Sequence, residues 1–188
     1  MVNAQTTTII KNKNGAYNVL GTIIVNKKYG LGENYTYKNN QKLFDNATNA
    51  YNNMKNAAQK DGIYLNIVSR YRSYDVQEYL YKSYEEKYTN VDTFSAKPGY
   101  SEHQTGLAFD LNGEDPRTSV KDKFEFTKEY EWLRNNAYKY GFILRYPKGK
   151  SDITGYKFEP WHYRYVGTEI SYALKDSNAT LEEYLNIY

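Results

Sequence analysis

Apolar side chains fall at Leu43, Ala47, Ala50, Tyr51, Met54 and Ala58, the three-and-four spacing that lays one apolar stripe along a helix. The spacing predicts an amphipathic helix over 39–59, stopped by Gly62. Residues 63–68 alternate and are β-branched, which predicts a strand that delivers 69–73 at its end. A second helix is expected over 75–88 with Val76, Tyr79, Leu80 and Tyr84 inward. A third runs over 124–140, where Tyr130, Leu133, Ala137 and Tyr140 align before Gly141. Residues 142–146 read as a strand closed by Pro147, 148–154 as a charged turn, and 171–188 as a C-terminal helix whose Leu174, Leu181, Leu185 and Tyr188 cover the sheet. At the start, Asn14-Gly15 marks a turn in the polar segment 1–16, read as an arm or a first short hairpin, and a β-rich stretch follows over 17–28.

Two further stretches carry strand patterns and chemistry together. Leu107, Phe109 and Leu111 alternate with Ala108, Asp110 and Asn112, so a strand here aims Asp110 away from the apolar face. His103 lies just upstream across Gly106. The aromatic and β-branched run 158–166, interrupted by Pro160, reads as a turn feeding another strand and holds His162, the second of the chain's 2 histidines. Helices gathered before and between strands, without regular βαβ alternation, predict an α+β fold with a small, mainly antiparallel sheet flanked by helices. The expected organisation is an arm over 1–16 and one catalytic domain over 17–188.

Taken singly, a histidine in a Gly-rich loop is ordinarily a surface residue, and an aspartate near a strand end ordinarily shapes a turn. Taken together, His103, Asp110 and His162 form a plausible zinc triad, because imidazole nitrogen and carboxylate oxygen suit zinc and a catalytic site leaves its fourth position to water. Glu159, three residues before His162, can then reach that water as general base. Trp161 either packs beneath the metal or walls a substrate groove, and Gln77, near the first turn of its helix, faces substrate or water. Two rivals stand beside an enzyme: a zinc-stabilised binding module and a metal-free, tyrosine-rich carbohydrate binder. Glu159 speaks against the first, since a structural zinc site is closed by a fourth protein ligand. The second leaves both histidines without a purpose.

Composition narrows the choice further. At 188 residues and 40% hydrophobic content the chain has material for one ordinary core. The absence of cysteine removes disulfides, thiolate nucleophiles and thiolate zinc sites. A net charge of +3 favours an anionic surface such as a cell wall and gives no stripe for nucleic acid, so no nucleic-acid partner is expected. The 23 tyrosines match a general richness in Tyr, Asn and Lys and assign no ligand by themselves. The longest apolar run near the start, 19–25, is too short to anchor in a membrane.

Ser101 to Asp110 fits the pattern SxHxxGxAxD, and Glu159 to His162 fits ExxH. With 69–77, similar to a YRS segment, and 140–147, these motifs resemble the VanY-type zinc D-alanyl-D-alanine carboxypeptidases, relatives of the VanX dipeptidases, over residues 20 to 170. The resemblance implies a Hedgehog/D,D-peptidase fold, with His103, Asp110 and His162 as zinc ligands and Glu159 as catalytic base. It also implies Arg72 as the cation that steadies the oxyanion and Ser101 as a substrate contact. Arg70 and Ser101 are candidates for binding the substrate's α-carboxylate. The implied reaction is removal of the C-terminal D-alanine from peptidoglycan stem peptides, with L,D-carboxypeptidase and endopeptidase relatives sharing the motifs. A monomer without a stable protein partner is expected, acting outside the cytoplasm with its export segment beyond this sequence.

Overall fold

The structure, a computed structural model, describes residues 7–188; positions 1–6 of the expected arm lie outside the described residues. The remainder of that segment forms a hairpin, in which β1 (Ile9–Lys11) pairs with β2 (Tyr17–Val19), and β2 pairs in turn with β3 (Thr22–Ile24). Both pairings are antiparallel. The second turn is Leu20-Gly21, with φ of 49° and 81°, the left-handed pair that a two-residue hairpin requires.

The predicted first helix is α1 (Gln41–Lys60), with Ala47, Tyr51, Met54 and Ala58 on its buried face. Gly62, at φ 72°, reverses the chain, and the Ile63 N–H returns to the Ala58 carbonyl at 2.9 Å. Beside α1 lies a second antiparallel sheet in the order β4 (Asn66–Ser69), β5 (Ala108–Asn112), β7 (His162–Tyr165), β6 (Phe142–Leu144). Leu107, Phe109 and Leu111 enter the main core with Tyr51, Leu133, Phe142 and Tyr163. The Phe109 ring stacks on Tyr51 at 5.5 Å and meets Phe142 edge-on at 5.2 Å. Each such side chain contributes roughly 1.5–3 kcal/mol by leaving water. Two small antiparallel sheets flanked by helices are the expected α+β architecture.

Several local expectations need correction. The strand expected over 63–68 begins three residues later, at Asn66. Ile63 and Leu65 are buried, Leu65 accepting a hydrogen bond from the Tyr51 hydroxyl, whereas Ile67 and Val68 are 40% and 45% exposed on the sheet's outer strand. The second helix is α2 (Tyr74–Glu85), and it buries Gln77 and Tyr81 while Val76 and Tyr79 face solvent. The loop beneath α2 is polar: Gln77 donates to the Ala96 carbonyl at 2.6 Å and the Tyr81 hydroxyl lies 2.7 Å from Asp92.

The third helix is split at Thr127, whose extended backbone and hydroxyl cap α3 (Lys128–Asn136) by accepting the Tyr130 N–H. Phe124 sits in a separate helical turn before it, and a tight turn over 137–140 ends at Gly141 with φ 82°. A short α4 (Ser151–Thr154) occupies the expected charged turn. The C-terminal segment forms two helices, α5 (Thr168–Leu174) and α6 (Leu181–Leu185), the latter begun by a capping box between Thr180 and Glu183. Leu174, Leu181 and Leu185 cluster with Val19, Ile24 and Ile143, and so join the small sheet to the large one, while Tyr188 stays exposed.

Candidate metal centre

Because β5 and β7 are hydrogen-bonded neighbours with Asp110 opposite His162, the strand register alone sets a carboxylate beside an imidazole. His103 arrives from the helical turn Glu102–Thr105, which closes at Gly106 with φ 72°. A Cβ at Gly106 would come within 2.5 Å of the Phe44 ring, so the turn is built on glycine for both space and conformation.

One donor atom from each of His103, Asp110 and His162 lies within 4.8 Å of the others, all three residues being buried. His103 Nε2 is 3.2 Å from Asp110 Oδ2, and His162 Nδ1 is 3.1 Å from Asp110 Oδ1. The far nitrogens are engaged elsewhere. His103 Nδ1 is 2.6 Å from the Arg70 carbonyl and can only donate to it, which leaves Nε2 with its lone pair inward. His162 Nε2 is 3.4 Å from Glu102 Oε2, which turns Nδ1 toward Asp110.

The donor set fits a divalent metal. Two imidazole nitrogens and a carboxylate converge, and buried Asp110 Oδ1 accepts no well-aligned hydrogen bond among the described residues, although His162 Nδ1 stands 3.1 Å from it. An unsatisfied buried oxygen is costly unless a cation completes it. Burial alone would raise the Asp110 carboxyl, but the His103 and His162 imidazoles outweigh it and hold Asp110 well below the usual carboxylate range. Burial lowers His103. At His162 burial acts in the same direction, yet the Asp110 and Glu102 carboxylates beside it prevail and raise it to about 9.

Glu159 faces the same point, its Oε2 3.8 Å from His162 Nδ1. The turn at Pro160 holds it there: the Glu159 N–H donates to the Tyr146 carbonyl at 3.2 Å, and its own carbonyl accepts the His162 N–H at 3.1 Å. Burial pushes the Glu159 carboxyl up to about 8, with Asp110 adding to the rise. Arg72 approaches from the loop after β4, where the pairing slips between Ile67 and Ser69. Its N–H donates to the His103 carbonyl at 3.1 Å and its Nη2 lies 3.9 Å from Asp110 Oδ2.

These groups line a cleft of about 390 Å³ that includes Arg72, Ser101, Glu159 and Trp161. Trp161 belongs to the main core as well, so it packs and walls at once. Two of the expected substrate contacts are not on that wall. Gln77 is buried with its oxygen accepting from Arg72 Nη1 at 2.8 Å and its nitrogen donating to Ala96 and Ser95, which leaves its amide no group for a substrate. Arg70 points the other way, its guanidinium 3.8 Å from the Phe44 ring centre and bonded to the Phe44 carbonyl, Thr48 and the Gly106 carbonyl. A regular strand would put residues 70 and 72 on one side; the two arginines part because β4 ends at Ser69 and the chain from 70 to 73 is irregular.

Several residues of the site escaped the sequence reading. Tyr146 lies with its ring 4.8 Å from that of His162, and Tyr156 stacks on it at 4.7 Å, both lining the cleft. Glu102, immediately before His103, is fully buried. Its position inside the SxHxxGxAxD motif was the available signal.

A family profile described as VanY, D-alanyl-D-alanine carboxypeptidase, matches residues 40–168. The D-alanyl-D-alanine carboxypeptidase of Enterococcus faecium is 38% identical over 159 residues, covering 84% of this chain and 47% of that protein. The chain spans 47% to 65% of the length of the curated relatives it matches. Among solved structures, the LdcB LD-carboxypeptidase superposes with a TM-score of 0.79 at 34% identity, covering 96% of this chain and 94% of that one. A mutant of the vancomycin-resistance D,D-pentapeptidase VanY, in complex with Zn(II), superposes with a TM-score of 0.65 at 31% identity, covering 96% and 90%. With residues 40–168, more than half of the chain, matched by that profile, this protein belongs to the VanY D-alanyl-D-alanine carboxypeptidase family.

Proposed function

We propose that this chain is a zinc-dependent carboxypeptidase that removes the C-terminal D-alanine from peptidoglycan stem peptides, acting first on D-alanyl-D-alanine termini. The observation that carries the reading is the convergence of His103, Asp110 and His162 with Glu159 beside them at the floor of one cleft. His103 Nε2, Asp110 and His162 Nδ1 would hold the zinc, which supplies Lewis acidity toward water and a carbonyl oxygen.

Glu159 takes the proton of the attacking water and returns it to the departing amine, so the carboxyl ends the cycle as it began. Burial raises the Glu159 carboxyl, which helps it hold the proton until the amine departs; the charge of a bound metal would act the other way and keep the resting carboxylate available as base. Arg72, steadied by Gln77 and by Ser69 Oγ at 3.0 Å, offers its guanidinium to the negative charge that develops on the carbonyl oxygen. Ser101 and the aromatic wall contact the peptide, and Gln77 acts through Arg72. A wall substrate places the protein outside the cytoplasm, and we expect a monomer there. Among the described residues no helix is long and apolar enough to cross a membrane.

A second reading, L,D-carboxypeptidase action on tetrapeptide stems, is favoured by the higher TM-score to LdcB, 0.79 against 0.65 for the D,D-pentapeptidase. Incubation of zinc-loaded protein with penta-, tetra- and tripeptide stems, followed by mass spectrometry, separates the two. Loss of one alanine from the pentapeptide is the expected result. Loss from the tetrapeptide alone assigns the L,D reaction, release of a larger fragment assigns an endopeptidase, and unchanged peptides refute both readings.

A further inference from the structure

Four fully buried charges stand directly behind the metal centre. Glu102 Oε1 accepts from Arg145 Nε at 2.8 Å and from Arg164 Nη1 at 2.6 Å. Arg145 turns its other two nitrogens to Glu182 of α6, at 2.8 and 2.5 Å, and Arg164 donates to the carbonyls of Ile23 and Tyr165. Asn26 donates to Glu182 at 3.1 Å. Two positive and two negative side chains cancel. Buried ion pairs of this kind add little stability over apolar side chains of the same volume, so their arrangement calls for a reason other than stability.

That reason lies at the second oxygen of Glu102. With Oε1 committed to two guanidinium groups, Oε2 remains for His162 Nε2 at 3.4 Å. We infer that Glu102 is a positioning residue: clamped by Arg145 and Arg164, it keeps the proton of His162 on Nε2 and so presents Nδ1, the nitrogen that faces Asp110, to a metal. On its far side Arg145 is held by Glu182 of α6. The inference rests on the zinc reading above.

Glu102→Gln tests it because the two arginine donors dictate which way the amide turns. Its oxygen must face them, so its NH2 faces His162 and requires an acceptor there. The imidazole proton is then driven to Nδ1, the ligand position. Zinc affinity, measured by chelator competition, is expected to fall about 10- to 100-fold, the range for partners that orient metal-bound histidines. Glu182→Gln breaks the same charge cluster without touching His162. It is expected to lower the melting temperature yet keep wild-type zinc affinity.

Two-bond 1H–15N spectra of the zinc-loaded wild type give a readout that needs no variant: His162 should carry its proton on Nε2 and bind through Nδ1. Unchanged zinc affinity in Glu102→Gln overturns the inference, as does an equal loss in both variants. If Glu102→Gln does not fold, the wild-type spectrum decides, since a proton on His162 Nδ1 overturns it and one on Nε2 supports it. Wild-type protein that takes no zinc defeats the zinc reading itself, and the inference falls with it. Zinc binding in the wild type together with an unaffected Glu102→Gln variant defeats the inference alone.

Discussion

Leu107, Phe109 and Leu111 leave one face of β5 for a core of packed rings and aliphatic side chains, while Asp110 leaves the other for two imidazoles, an arginine and a second carboxylate nearby. The two faces obey different physics. On the apolar side the favourable quantity is area removed from water, which is non-directional and tolerates a change of shape. On the polar side each group is held by particular partners in set directions, and a change of a single atom alters what the neighbour can accept or donate. Stability should therefore be concentrated on the first face and turnover on the second, and substitutions can test how clean that division is.

The largest effect is expected at Glu159. Glu159→Gln should reduce turnover about 10²- to 10⁴-fold. It should leave zinc content intact, since Glu159 is not one of the three proposed ligands, and the melting temperature no lower, because burial already disfavours the charged carboxylate that the amide replaces. Phe109→Ala should do the reverse. Removing a ring packed against Tyr51 and Phe142 is expected to cost about 3–5 kcal/mol in urea unfolding, with zinc still bound by the folded fraction. If Phe109→Ala emptied the metal site of the folded protein, the two faces would not be separable.

Arg72 and Arg70 bring the comparison down to neighbouring turns of one loop. Arg72→Ala is expected to lower kcat by about 10²- to 10³-fold. Arg70→Met should instead lower stability, by roughly 1–3 kcal/mol for the lost hydrogen bonds, and leave kcat near wild type. Equal losses of kcat in both would show that Arg70 also reaches the cleft.

The mildest test is pH. Arg145 holds the Glu182 carboxyl below its ordinary value, against the effect of burial. A carboxyl depressed in the folded state contributes stability above its unfolded value, near 4.5, and loses that contribution as pH falls toward its folded value. Urea unfolding between pH 7 and pH 3 should show declining stability below that point, and Glu182→Gln should flatten the decline.

The readable parts of this molecule were those whose information is local. The apolar stripe of α1 and the alternation of β5 follow from a few consecutive residues, and both elements stand where the pattern puts them. His103, Asp110 and His162 could be picked out because just 2 histidines are present and each lies in a motif with its acid, and the fold brings the three together. The inward face of α2 was misread because its neighbours are polar, so hydrogen bonding to Ala96 and Asp92 decided the orientation and hydrophobicity did not. The break at Thr127 hid in a continuous helical spacing, since a capping hydroxyl interrupts a helix without disturbing its period. Nothing in the local pattern pairs Glu102 with Arg145 and Arg164; they stand 43 and 62 positions apart in the chain, and only the folded structure brings them together.

Metal content of the purified chain and of two variants tests the centre most directly. Equilibrium dialysis against zinc followed by elemental analysis should find one zinc per chain in the wild type and in Glu159→Gln, and none above background in His103→Ala. Full occupancy in His103→Ala, or an empty site in folded Glu159→Gln, would contradict the assignment of ligand to the one residue and of proton carrier to the other.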